Sequence, residues 1–368
     1  MATNTIDYRI HCKETLIIKA IAIIAMLVHH LFYEHPEFGS TIVNIGVIGK
    51  ICVFLFVFLS GYGMTASFPY VSGNFFCAKR FFFFLCRRFT KFFFNYWFIF
   101  FISIPTGVLL FDRPLQAAYG VKANLLKSFV KDFFGQQGLF SYNETWWFNA
   151  VIIALWIMFP FLYMAMKNKV ISICILIFLW MDPYIVMHYF HFVATGLATY
   201  IFPFILGIFF ALRINQIRTF LNKFPPYIVL YTSLIMAILF LIRCGFPIFP
   251  NYLSIPLGPV TTLLIALAVV SLCRATNLQF GFMQFVGKHS MNMYLTHTFI
   301  FGYFFHDFIY GFKHPVLIFL VLFMTSLLLS ICIEFAKRRI GFYKLQGKVV
   351  ETINRIGCLV PKEHDNAH

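Results

Sequence analysis

Uninterrupted apolar runs of close to twenty residues recur along the whole of this chain, and that recurrence limits what it can fold into more than any other feature. A helix crossing a hydrocarbon core about 30 Å thick needs roughly 20 consecutive apolar residues. In lipid every backbone N–H and C=O must be satisfied within the protein, which leaves only helices and closed barrels. The runs here are continuous rather than alternating, so barrel strands are excluded. With 61% hydrophobic and 11% charged residues among 368, and a mean hydropathy of +0.82, a pair of soluble domains is excluded as well. The expected fold class is all-α, a polytopic membrane helix bundle.

Breaks of charge, Pro, Gly and Asn between the runs set about ten spans, near 16–33, 45–66, 92–111, 147–166, 170–187, 192–212, 227–243, 255–273, 291–310 and 315–335. Asp182, Pro183, His188 and His191 interrupt the fifth and sixth, where a re-entrant element would read the same way.

The net charge of +16 raises the question of nucleic acid, and its distribution answers it. If the N-terminus is cytoplasmic, 22 of the 29 Lys and Arg residues fall on that side. They include Lys79, Arg80, Arg87, Arg88 and Lys91 before the third span, and Lys337, Arg338, Arg339, Lys344, Lys348, Arg355 and Lys362 near the C-terminus. The other side keeps only Lys50, Arg113, Lys122, Lys127, Lys131, Arg243 and Lys313. Lys and Arg resist translocation, so both termini are expected in the cytoplasm, and no nucleic-acid partner is expected. The organisation that follows is a membrane domain over 1–340 and a basic cytoplasmic tail over 341–368. No cleavable signal peptide is expected, because the first span lacks a small-residue cleavage site, and no appended soluble domain is seen. The one long outer loop, 112–146, suits extracytoplasmic recognition. Nine cysteines without a CxxC pair argue for small buried hydrophobes rather than a zinc site or disulfide framework. No metal is expected.

Ionisable groups inside a span are costly in lipid, which makes each a functional candidate. Lys19 and His30 lie eleven residues apart in the first span, three turns plus about 20°, so they share a helical face roughly 16 Å apart along the axis. That face carries a fixed cation near one surface and, deeper, a side chain suited to taking a proton from a hydroxyl near neutral pH. A snorkelling lysine and an interfacial histidine beside His29 account for the same pattern. Arg88 and Lys91, one turn apart, suit the phosphates of a nucleotide-containing donor, and positive-inside anchoring explains them too. Ser60, in Leu59-Ser60-Gly61-Tyr62-Gly63, marks either a polar pocket or a close helix contact. Ser290, Tyr294 and His297 form a polar stripe at i, i+4 and i+7. Glu144 and Trp147 in Asn143-Glu144-Thr145-Trp146-Trp147 read as a platform for sugar rings or as an aromatic belt.

Taken in order, these residues resemble the acyltransferase-3 family of multi-pass membrane acyltransferases, over nearly the whole chain. Lys19-x10-His30 resembles that family's basic-residue-x10-His pattern, "LSGYG" at 59–63 its Ser-Gly-aromatic motif, and Arg88-x-x-Lys91 its Arg-x-x-Arg motif with Lys in the second place. Trp146 to Pro160 is similar to its "WF…P" helix, and "VGKHSMNMYLTH" at 286–297 to its Gly-x-x-Ser…Tyr-Leu-x-His segment. The resemblance implies an acyl-CoA co-substrate, usually acetyl-CoA, no permanently bound cofactor, and a glycan or lipid-linked saccharide as acceptor. It implies donor binding by Lys19, Ser60, Arg88 and Lys91, with His30 as general base or transient acyl carrier. Glu144, Trp147, Tyr294 and His297 would serve the acceptor. Some relatives carry a fused esterase-like domain, and its absence here implies an enzyme acting alone. The competing reading from another class is a glycan or lipid transporter or flippase, since internal polar residues also suit a translocation path; no internal repeat relates the two halves.

Overall fold

The computed structural model describes residues 6–68, 78–121, 123–136, 141–190, 197–246, 257–276 and 278–357, without the side chains of 182–190 and 198. The side chains of Asp182, Pro183, His188 and His191 therefore lie outside the described residues. Among the described residues the chain is helical with no strand. In order the helices are α1 (Cys12–Phe32), α2 (Ser40–Gly49), α3 (Ile51–Ser67), α4 (Ala78–Leu110), α5 (Leu115–Tyr119), α6 (Leu125–Phe133), α7 (Trp147–Lys167) and α8 (Lys169–Phe190). There follow α9 (Leu197–Leu212), α10 (Ile214–Leu221), α11 (Pro226–Gly245), α12 (Leu257–Thr276), α13 (Gly281–Thr298), α14 (His306–Tyr310), α15 (Pro315–Arg339) and α16 (Phe342–Gly357).

Among the described residues seven helical stretches are long and apolar enough to cross a membrane, or eight if α9 and α10, bent by 75°, count as one broken span. The fully described part of α8, Lys169–Met181, is a shorter apolar stretch, and α13 ends in a π-helical turn at Phe299–Phe304. The second expected span begins earlier than 45, because α2 and α3 follow one another across a break at Lys50. The third also begins earlier. Arg87, Arg88 and Lys91 lie inside the 33-residue α4 rather than ahead of it. Phe101, Leu110, Phe161, Leu239 and Leu328 are exposed on these helices, as expected of side chains that face lipid rather than water. The cysteines depart from expectation: Cys52 is buried, but Cys12, Cys174 and Cys332 are exposed.

The chain forms two compact units. The first comprises Met1–Ala66, Phe161–Ser290 and Phe312–Phe323. Here glycines let helix backbones meet, which is how helices pack without a hydrophobic driving force between them. A β-carbon on Gly49 would run into the Ala25 carbonyl and lie 2.9 Å from the His29 nitrogen. One on Gly61 would strike the Phe204 carbonyl, one on Gly207 the Phe58 carbonyl, and one on Gly287 the Leu16 carbonyl. Gly61 and Gly207 make α3 and α9 approach reciprocally, which accounts for the small residues of the Leu59–Gly63 motif. Tyr62 has a further duty, its hydroxyl accepting from the Ile10 amide at 3.0 Å. Glu14 is buried, accepting from the His11 amide at 2.9 Å and pairing with Arg274 at 3.1 Å; a buried carboxylate persists only when partnered in this way.

The second unit comprises Ser67–Pro160, Met291–Gly311 and Met324–His368. Its α4 carries α16 along its side, with Phe342 against Phe94 and Phe98. Lys337, counted from sequence with the cytoplasmic-side cations, is fully buried. Its ammonium donates to Glu334 Oε1 and Asn292 Oδ1, each at 3.0 Å, and to Asn95, so all three protons are used. Tyr343 in turn donates to Glu334. Residues 342–357, which open the tail assigned from sequence, are thus an ordered helix tied into the bundle.

Candidate functional site

The residues proposed from sequence fall into two groups. Lys19, His30 and Ser60 belong to the first unit; Arg88, Lys91, Glu144, Trp147, Tyr294 and His297 belong to the second.

In the first group, α1 runs unbroken from Cys12 to Phe32, so the face shared by Lys19 and His30 survives folding. Both side chains are half-buried, and both have interaction partners. The two adjacent histidines have different surroundings. His29 Nδ1 lies 2.8 Å from the Gly46 carbonyl oxygen; a carbonyl can only accept, so Nδ1 carries the proton and donates. The His29 ring also sits 5.2 Å from that of His30 and 4.9 Å from that of Tyr33, centroid to centroid. Ser60 is half-buried on α3, next to the Gly61 seam.

In the second group, Arg88 lays its guanidinium over the Trp156 ring at 5.1 Å, and its buried Nε has no hydrogen-bond acceptor among the described residues. Stacking of this kind holds a guanidinium flat while leaving its edges for an anion. Lys91, one turn on, is exposed, and its carbonyl accepts from Gln346 of α16 at 3.4 Å.

Glu144 and Trp147 flank a short 3₁₀ turn at Glu144–Trp146 that leads into α7. The two tryptophans divide. Trp146 is fully buried, its Nε1 donating to the Leu295 carbonyl at 3.1 Å, whereas Trp147 is half-buried and Glu144 exposed. The Glu144 amide donates to the Tyr303 hydroxyl at 3.2 Å, and Arg113 sits 3.5 Å above the Tyr303 ring. Tyr294 and His297 are buried on α13. The Tyr294 hydroxyl lies 3.0 Å from the Thr145 carbonyl and 3.3 Å from Asn149 Oδ1. His297 Nδ1 donates to the Tyr294 carbonyl at 2.8 Å, and Nε2 lies 3.3 Å from Thr298 Oγ1. Thr298 Oγ1 lies 2.9 Å from Thr145 Oγ1, which donates to Asn143 Oδ1 at 2.7 Å. A line of polar contacts thus runs from His297 to the turn that carries Glu144.

One cluster has no counterpart in the sequence reading. Asp132, at the end of α6, is buried; its Oδ2 accepts from the Tyr119 hydroxyl at 3.0 Å and the Tyr142 amide at 2.7 Å. Its backbone carbonyl accepts from the Tyr96 hydroxyl at 2.6 Å. Burial pushes the Asp132 carboxyl up to about 6 against the lowering effect of those donors, and burial together with the carboxylate raises the Tyr119 phenol. Gln136, Gly135 and Asp132 close the C-terminal turn of α6, and Arg113 Nη2 donates to the Tyr142 carbonyl at 3.1 Å. Nothing in the sequence singles it out, since Asp132 is one of three acidic residues in the 112–146 loop, with Asp112 and Glu144. Among the described residues no three His, Cys, Asp or Glu side chains gather as metal ligands.

A family model described as an acyltransferase domain, that of the acyltransferase-3 family, matches residues 17–335. The chain belongs to the acyltransferase-3 family. No match is found among curated proteins or among solved structures. As an acyltransferase-3 protein with seven or eight helices long and apolar enough to span, it is a multi-pass membrane acyltransferase. Lys19, His30, Ser60, Arg88, Lys91, Glu144, Trp147, Tyr294 and His297 all lie within the matched residues, as do Asp132 and His29.

Proposed function

We propose that this acyltransferase moves an acyl group, by preference acetyl, from cytoplasmic acyl-CoA to a hydroxyl of an extracytoplasmic glycan or lipid-linked saccharide in the cell's inner membrane. The observation that carries the reading is the unbroken α1, with a cation and an imidazole on one face at different depths. In this reading both termini are cytoplasmic. Arg88 and Lys91 bind the CoA phosphates, assisted by Lys19 and Ser60; the flat stacking of Arg88 on Trp156 and its unused Nε support that role. His30 takes the proton from the acceptor hydroxyl as its oxygen attacks the thioester carbonyl. A C–O bond forms, the C–S bond breaks, and CoA leaves as the thiolate, which regains a proton. Glu144 and Trp147 face the sugar, with the aromatic ring as its platform. Tyr294 and His297 hold the turn that carries them through the Thr298–Thr145–Asn143 hydrogen bonds.

The test combines purified protein in liposomes, [14C]acetyl-CoA and membranes containing the candidate saccharides, with NMR of the cell's surface polysaccharide for O-acyl groups. Label should move to saccharide, and His30→Ala should stop it, by a factor of about 10² to 10⁴ as expected for a general base, while the protein remains folded. Full transfer by His30→Ala would remove His30 as the base. Arg88→Ala should weaken acetyl-CoA binding more than acceptor binding, and equal loss of both would remove it from the donor site. Saccharide translocation without any thioester requirement would favour a transporter instead.

A further inference from the structure

The inference rests on the reading of His30 as the base and concerns what holds its ring. The last two turns of α1 are set against α2 more closely than side chains allow. A β-carbon on Gly46 would lie 2.7 Å from the Tyr33 nitrogen and 3.0 Å from Phe32 carbon, and one on Gly49 would meet the Ala25 carbonyl and the His29 backbone. Two glycines three residues apart on α2 thus form a seat for the backbone from Ala25 to Tyr33. His29 closes that seat, with Nδ1 donating to the Gly46 carbonyl at 2.8 Å. Gly46 lies in the last turn of α2, and the Lys50 amide bonds to Val47 rather than to it, so the imidazole caps a carbonyl that the helix end leaves open.

We infer that His29 is the positioning residue for the His30 imidazole: hydrogen-bonded to Gly46 and in ring contact with His30, it fixes where the base stands. The consequence is geometric. Neighbouring residues on a helix point about 100° apart, so a His29 ring immobilised on α2 forms one wall of the space in which the His30 ring turns, at a centroid distance of 5.2 Å and an interplanar angle of 59°. Tyr33, 4.9 Å from the far side of His29, backs that wall. Misplacement of a catalytic group by about 1 Å is enough to cost roughly 10²-fold in rate, so a loosened wall should lower turnover without changing donor affinity.

The distinguishing pair is His29→Leu, which keeps bulk and loses the donor, and His29→Asn, whose amide nitrogen stands where Nδ1 stood. Full-length protein in liposomes is assayed for acetyl transfer from acetyl-CoA, and its [15N]histidine spectrum is recorded in detergent without substrate, with the His30 signals identified by their loss in His30→Ala. His29→Leu should lower kcat about 10- to 100-fold with KM for acetyl-CoA within twofold and should broaden or split the His30 signals. His29→Asn should restore kcat to within about threefold of the native protein and return the His30 signals to their native positions. Equal activity of the Leu and Asn variants, or unchanged His30 signals in His29→Leu, would overturn the inference. Native transfer by His30→Ala would sink the base assignment alone, since the spectra report the ordering of the ring whether or not it reacts.

Discussion

Helix α1 and the segment from Asp112 to Trp146 both hold polar groups out of water, and they do so by opposite means. In α1 two polar side chains are served by neighbouring helices: Glu14 by Arg274, His29 by the Gly46 carbonyl. The rigidity comes from backbone meeting backbone at Gly46, Gly49 and Gly287. The 112–146 segment has little regular structure to lean on. It is drawn together by side chains that bond to backbone around one carboxylate, with Tyr119, Tyr142 and Tyr96 converging on Asp132. The glycine seam of the first arrangement is steric; the second is electrostatic and depends on the protonation of its hub. A residue that must stay in one place during catalysis is better served by the first kind, and a recognition loop can be served by the second.

The contrast can be broken most forcefully at the glycine seam. Gly49→Val puts two extra branches against the Ala25 carbonyl and the His29 backbone, and should cost on the order of 3 kcal/mol or prevent folding. A melting midpoint in detergent close to the native one would show that α1 and α2 have more play than the steric account permits. Next in size is the response of the loop to pH. The Asp132 carboxyl is raised by burial to about 6 from 3.8, so the folded loop favours the protonated form. Its stabilising contribution is complete below about pH 4 and is lost as pH rises through about 6, a swing of roughly 3 kcal/mol. Proteolysis within 112–146 should therefore be slower at pH 5 than at pH 7.5, and Asp132→Asn should flatten that difference; an equally steep profile in Asp132→Asn would move the titration elsewhere. Smaller effects sharpen the comparison. Glu14→Gln, which weakens the pair with Arg274, should cost about 1 to 2 kcal/mol with no change in proteolysis of the loop. Tyr119→Phe removes one of the donors to Asp132, and should cost about 1 kcal/mol, read as faster loop cleavage and an unchanged global melt.

The helical character of the bundle and the Lys19–His30 face were legible in advance because both depend on local periodicity, apolar runs for the one and 3.6 residues per turn for the other. The start of α4 was not legible from hydropathy. A helix continues past the bilayer wherever its residues favour helix and find a packing partner, and here Phe81, Phe84 and the stacked Arg88 extend it through the basic cluster. The burial of Lys337 was not legible for a related reason: beside Arg338 and Arg339 it counts as one more cytoplasmic-side cation, yet Asn95, Asn292 and Glu334 surround it.

By itself, then, the amino-acid order determined that this protein lives in a membrane as helices, which family it belongs to, and which face of α1 carries a cation and an imidazole. Those properties are written in residue type and in spacing along a single helix. Tertiary structure decided which of two neighbouring histidines is tied to backbone, which of two tryptophans is core, and that Asp132 is the centre of the loop. Each of these depends on a partner brought near only by folding: Gly46 from α2, Leu295 from α13, and tyrosines 13, 10 and 36 residues from Asp132, the first two bonding its carboxylate and the third its backbone carbonyl.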